Sequence, residues 1–112
     1  MTIPNPIPAE LAELIAARLR VIGDPTRIRI LDLLRDGELT VSEITERVGT
    51  SQQNASKHLG VLLQAGIVAR RKHGNSSLYS IADRGVYELC EQVCGGLQLQ
   101  LDELTAVVQG TR

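Results

Sequence analysis

At 112 residues, with 43% apolar and 22% charged side chains, the chain has the size and composition of one globular domain and not of a disordered tail. Its longest apolar runs, such as Gly60-Val61-Leu62-Leu63, fall far short of the ~20 residues that a membrane span needs, and the opening Met-Thr-Ile-Pro-Asn-Pro-Ile-Pro lacks a signal-peptide pattern. The net charge of −1 suggests no polyanion partner, but its distribution does: Arg47 through Ala82 hold no Asp or Glu, while they include Arg47, Lys57, Arg70, Arg71 and Lys72.

Residues 1–8 carry three of the four prolines and are expected to form an extended, mobile arm ahead of a single domain over 9–109. A first helix is predicted over 9–22, with Leu11, Leu14, Ile15, Leu19 and Ile22 at helical spacing and Arg18 and Arg20 near its C-terminal dipole. Asp24-Pro25 then starts a second helix, with Asp24 as N-cap and Pro25 in the first turn. Its apolar residues Ile28, Ile30, Leu31, Leu33 and Leu34 lie on more than one side, as in a central helix, and Gly37 stops it.

Thr40-Val41-Ser42-Glu43 reads as a capping box for a short third helix ending near Val48 and Gly49. Thr50-Ser51-Gln52-Gln53 reads as a second candidate capping box, with Thr50 or Ser51 as N-cap, opening a fourth helix to about Ala65 with Ala55, Leu59, Leu62 and Leu63 facing inward. The tight turn at Val48-Gly49-Thr50 makes these two a helix-turn-helix. Two short strands around Gly74-Asn75 form a β-hairpin with a basic tip. Asp83 is the expected cap of a last helix towards Gln109, whose long apolar stripe runs from Val86 through Leu97 and Leu101 to Val108, with Gly95-Gly96 expected to bend it. The fold class is therefore mainly α with a small β-hairpin, a winged helix-turn-helix of five helices plus wing. A chain this small gains from pairing with a second copy.

The second helix of such a unit enters the major groove and offers its first turns to base edges. Those turns carry Ser51, Gln52, Gln53, Asn54, Ser56, Lys57 and His58. Gln and Asn suit adenine edges, and Ser and Lys suit phosphates or base edges. In the hairpin, Arg70, Arg71 and Lys72 are the candidate contacts. Strand alternation lets only Arg70 with Lys72, or Arg71 with His73, share a face, and the sequence does not choose between the pairs. The rival reading is a winged helix that docks on protein instead of double-stranded DNA; the amide-rich fourth helix and the acid-free stretch speak against it. The lack of Phe and Trp argues against a single-strand binder. No phosphate loop, metalloprotease motif or nucleophile elbow suggests an enzyme.

The motifs Gly23-Asp24-Pro25-Thr26-Arg27-Ile28-Arg29-Ile30-Leu31, Ser51-Gln52-Gln53-Asn54-Ala55-Ser56-Lys57-His58-Leu59 and Leu62-Leu63-Gln64-Ala65-Gly66-Ile67-Val68 resemble the ArsR/SmtB family of winged-helix repressors over about residues 10–100. The resemblance implies a homodimer through the first and last helices, an inverted-repeat operator and release by an effector. The Cys-Val-Cys thiolate site of some relatives falls here on Thr40-Val41-Ser42. A last-helix zinc site would begin at Asp83 but finds no histidine later in that helix.

Two cysteines and no export signal point to a reducing cytoplasm. Cys90 and Cys94 lie four apart, on one side of the last helix. Two readings stand for them: small apolar residues of a dimer seam, or a thiol sensor holding a soft metal ion or reacting with an oxidant. A repressor with no small effector is a further alternative.

Overall fold

The computed structural model describes residues 2–110. Its helices are α1 (Ala9–Ile22), α2 (Pro25–Leu34), α3 (Val41–Val48), α4 (Gln52–Gln64) and α5 (Gly85–Gln109); its strands are β1 (Leu39–Thr40), β2 (Val68–His73) and β3 (Ser76–Ile81). The wing is thus one strand larger than a hairpin. β1 pairs antiparallel with the outer side of β3, giving the order β1-β3-β2. Two residues are too few to show a period, which is why sequence patterning passes over β1.

The helix boundaries follow local chemistry. Asp24 accepts the N–H groups of Thr26 and Arg27 and leaves Pro25 where no donor is needed. Thr40 and Glu43 close a reciprocal capping box at α3. At α4 Ser51, the second of the two candidates, is the N-cap, and its hydroxyl accepts from the Asn54 N–H; the capping box between Thr50 and Gln53 does not form. Gly49 takes a φ of +77°, a left-handed value that lets the chain reverse between α3 and α4. Gly74, at +63°, occupies the first corner of the two-residue turn between β2 and β3.

Ile30, Leu31, Ile44, Leu59, Leu62, Ile67 and Val68 form the centre of the core, drawn from α2, α3, α4 and the approach to the wing. Tyr79 and Leu39 join it from the sheet. The last helix differs from its expected start. Arg84 is its N-cap and makes no side-chain cap bond, while Asp83 sits one residue earlier and accepts from the Gly85 N–H. α5 also runs unbroken through Gly95-Gly96.

Only the first turns of α5 pack on the core, through Val86, Leu89 and Cys90, with the Tyr87 hydroxyl donating to the Leu31 carbonyl. Burial pushes that phenol up to about 12. Residues 91–105 are all exposed. The radius of gyration, 17.5 Å, accordingly exceeds the about 13 Å of a compact chain of this length. Among the described residues no helix is long and apolar enough to cross a membrane.

Candidate nucleic-acid interface

α4 has one buried face and one bare face. Ala55, His58, Leu59 and Leu62 point into the core. At 3.6 residues per turn the opposite side is centred on Gln53, Lys57, Gly60 and Gln64, with Gln52 and Ser56 beside it, all but Gly60 carrying polar side chains, and all exposed. Ser51, Gln53, Asn54 and Lys57 together line a shallow concavity at the N-terminal end. Asn54 is partly committed elsewhere, because its amide donates to the Thr50 hydroxyl at 2.8 Å and so braces the turn. Gly60 and Gln64 are additions to the set read from sequence. The same periodicity that picked the inward residues could have found them by extending the outward stripe two more turns.

His58 is a correction. Its side chain is only 11% exposed and lies on the inner face with Ala55 and Leu62, three residues before and four after it. Nδ1 lies 3.0 Å from Nη1 of Arg27 and 3.9 Å from the Asp24 carboxylate. Arg27 also donates through Nε to the Val21 carbonyl at 2.5 Å. One guanidinium thus joins the end of α1, the start of α2 and the middle of α4. The Arg27 N–H holds the Asp24 carboxyl below its usual range, helped by the nearby positive charge.

The register of the wing separates its cations. Arg70 pairs with Tyr79 and Lys72 with Ser77, on the face whose inner members, Val68 and Tyr79, pack into the core with α4. Arg71 pairs with Leu78 on the other face. From there it reaches across β3 and grips Glu38 with two hydrogen bonds, 2.7 and 2.8 Å. That contact lowers the Glu38 carboxyl and raises the Arg71 guanidinium. Among the described residues, Arg70 and Lys72 form no ion pair.

A second arginine grips α4 from its far end. Arg18 donates from Nη1 to the Ala65 carbonyl at 2.8 Å and from Nη2 to the Asp83 carboxylate at 2.5 Å. Its helical spacing from Leu11, Ile15 and Ile22, on the less exposed side of α1, was the available signal that it faces inward and does not merely suit the helix dipole. The Arg18 bond keeps the Asp83 carboxyl below its ordinary value.

The metal positions implied by the resemblance do not fit a metal here. The Thr40 hydroxyl is used in capping α3, Ser42 is exposed, and Asp83 is already occupied by Arg18 and the Gly85 N–H. Cys90 is half-buried and Cys94 exposed. Both thiols line a cleft of about 320 Å³ between α2 and α5, together with Arg29, Asp32 and Tyr87. Among the described residues, no three His, Cys, Asp or Glu side chains cluster to hold a metal ion.

Residues 22–71, from the last residue of α1 to Arg71 in β2, match the family described as a helix-turn-helix domain. The HTH-type transcriptional regulator Rv0081 of Mycobacterium tuberculosis is 38% identical over 103 residues, covering 91% of this chain and 90% of that one. Its crystal structure superposes with a TM-score of 0.77 over 86% of this chain and 97% of that chain. The HTH-type transcriptional repressor SmtB of M. tuberculosis is 34% identical over 82 residues, 73% of this chain and 61% of that one. The homodimeric winged helix-turn-helix DNA-binding domain Mb0332 of Mycobacterium bovis, described as a possible ArsR-family regulator, is 32% identical with a TM-score of 0.69, over 88% and 87% of the two chains.

Proposed function

The chain belongs to the ArsR/SmtB family of winged helix-turn-helix transcriptional regulators, and from that premise we propose that it is a homodimeric repressor that reads an inverted-repeat operator in double-stranded DNA. The observation that carries this reading is the bare face of α4, where Gln53, Lys57 and Gln64 project from a helix whose other side is locked into the core. Gln53 reads a base edge. Lys57, Ser51 and Ser56 hold phosphates or flanking edges. Asn54 braces the turn, and Arg70 and Lys72 bring the wing to the backbone. Arg71 contributes less, since Glu38 already neutralises it.

The dimer forms through α1 and α5. Leu14, Leu19, Val93, Leu97, Leu101 and Leu104 are each 46% or more exposed, more apolar surface than a lone small domain leaves to water. Twofold pairing sets the two α4 helices about one DNA turn apart, roughly 34–36 Å. The regulator works in the cytoplasm and performs no catalysis.

Cys90 and Cys94 support an effector reading as well. One thiol is half-buried against the core and its neighbour is open to a cleft, which suits a thiol-directed signal, whether an oxidant or a soft metal ion shared with the same pair from a second copy.

The test is selection of duplexes from a random-sequence library, followed by binding at rising salt. The expected result is an inverted-repeat consensus whose affinity falls steeply with salt. Recovery of no consensus, or affinity indifferent to salt, overturns the DNA-reading function.

A further inference from the structure

Beyond the apolar packing of Ala55, Leu59 and Leu62, two polar anchors hold α4. Near its middle, His58 meets Arg27, whose other nitrogen is bound to the end of α1. At its C-terminal end, the Ala65 carbonyl meets Arg18, whose other nitrogen is bound to Asp83 just before α5. The second anchor holds the C-terminal end of α4, where a small displacement changes the direction of the helix, and it joins both elements assigned to the dimer, α1 and the start of α5.

We propose that Arg18 is a positioning residue that fixes the angle of the DNA-reading helix relative to the dimer helices, and so sets which half-site spacing the dimer accepts. This rests on the DNA-reading function above. Arg18 lies on α1, bonded to the far end of α4, so it acts through placement and not by touching bases. The fork geometry matters. A guanidinium presents two parallel donors to two acceptors at once, whereas an ammonium or an amide cannot span the Ala65 carbonyl and the Asp83 carboxylate with equal direction. Both bonds are only partly screened from water, since the Arg18 side chain is 41% exposed and that of Asp83 35%. Their effect is on angle more than on overall stability. The consequence is specific to DNA: one base pair added between half-sites moves them ~3.4 Å apart and turns one by about 34°. A rigid pair of helices rejects that change, and a pair with a loosened hinge accepts it.

The experiment uses the full chain and a duplex that the wild type selects from random sequence. It compares that duplex with versions one base pair longer or shorter between half-sites, and with a random duplex. The wild type is expected to discriminate against altered spacing at least about tenfold. Arg18→Gln should reduce that discrimination to within about twofold, with dimer mass and random-duplex affinity unchanged. Asp83→Asn, which weakens one arm of the fork while retaining an acceptor, should move in the same direction by a smaller factor. Retained discrimination in Arg18→Gln overturns the proposal, and so does an equal loss on every duplex, which marks a merely structural role. If Arg18→Gln does not fold, Asp83→Asn decides alone, and unchanged discrimination overturns the proposal. If the wild type selects no duplex, the DNA-reading function itself fails, an outcome distinct from the others.

Discussion

Nη1 of Arg27 approaches Nδ1 of His58 to 3.0 Å, and because a guanidinium carries only donors, Nδ1 is the acceptor of the pair. The bond sits beneath α4 and connects it to the corner between α1 and α2. Removing the donor strands the Nδ1 of the buried His58 ring and the Val21 carbonyl. Arg27→Met should therefore lower stability by about 1–3 kcal/mol in urea unfolding. His58→Gln, whose carbonyl oxygen can still accept, should cost clearly less than His58→Leu. Equal losses for the two His58 variants would show that only ring packing matters.

Gln53 and Lys57 stand one turn apart on the bare face of α4, yet they should behave differently. Gln53→Ala should lower affinity by ~1–3 kcal/mol at one base position and relax the preference there. Lys57→Ala should weaken binding to all sequences and flatten the salt dependence by about 0.9 in log–log slope per protomer, about 1.8 for the dimer. Titrations on specific and random duplexes at several salt concentrations separate the two roles. Equal losses on both duplexes for Gln53→Ala count against base reading.

The wing offers a prediction that its charge alone would not. Arg71→Ala should barely change DNA affinity, because Glu38 already compensates that charge, whereas Lys72→Ala and Arg70→Ala should each weaken binding and reduce the salt slope. Glu38→Gln, which releases Arg71, should strengthen binding at low salt. If Arg71→Ala is the most damaging of the wing variants, the ion pair does not survive on DNA.

Leu97 and Leu101 lie on the exposed seam of α5, 56% and 57% accessible. Replacing both with Glu places four charges across a twofold interface and should yield monomers that bind the operator poorly. Sedimentation equilibrium reads the mass directly. A wild type that sediments as a monomer at micromolar concentration refutes the dimer.

Cys90 and Cys94 give outcomes that differ in kind. As a sensor, the double change to Ser should leave reduced DNA affinity nearly intact and abolish the response to oxidant, cadmium or arsenite. As seam packing, it should lower dimer stability and leave no response to lose. Binding titrations with reduced, oxidised and metal-treated protein decide between them. Identical operator affinity of the wild type in all three states ends the sensor reading.

Much of this architecture was legible because local chemistry and tertiary packing agree. The Thr40 capping box, the Asp24-Pro25 start and the glycine reversal at Gly49 each specify a helix end from a few neighbouring residues. The departures arise where a contact spans a long stretch of chain. Arg18 to Asp83 is 65 residues apart and Arg71 to Glu38 is 33, so no window of sequence announces either pair. His58 is the opposite case: its inward facing was written in its spacing from Ala55 and Leu62, and the polar residues around it masked that signal. α5 continues as one helix through Gly95-Gly96 because two glycines lower helix propensity without removing a backbone donor.

The bare second half of α5 ties folding to dose. A solitary segment from residue 91 to 105, with no core of its own to lean on, is near the length at which helices are marginal in water. In the dimer proposed above, the second copy covers this segment, so its stability rises with protein concentration. Below the dimer dissociation constant, each protomer exposes an apolar helix to proteases and chaperones; above it, the same surface disappears. Dimerisation by this surface would thus make DNA occupancy rise with the square of the protomer concentration while protomers are in excess.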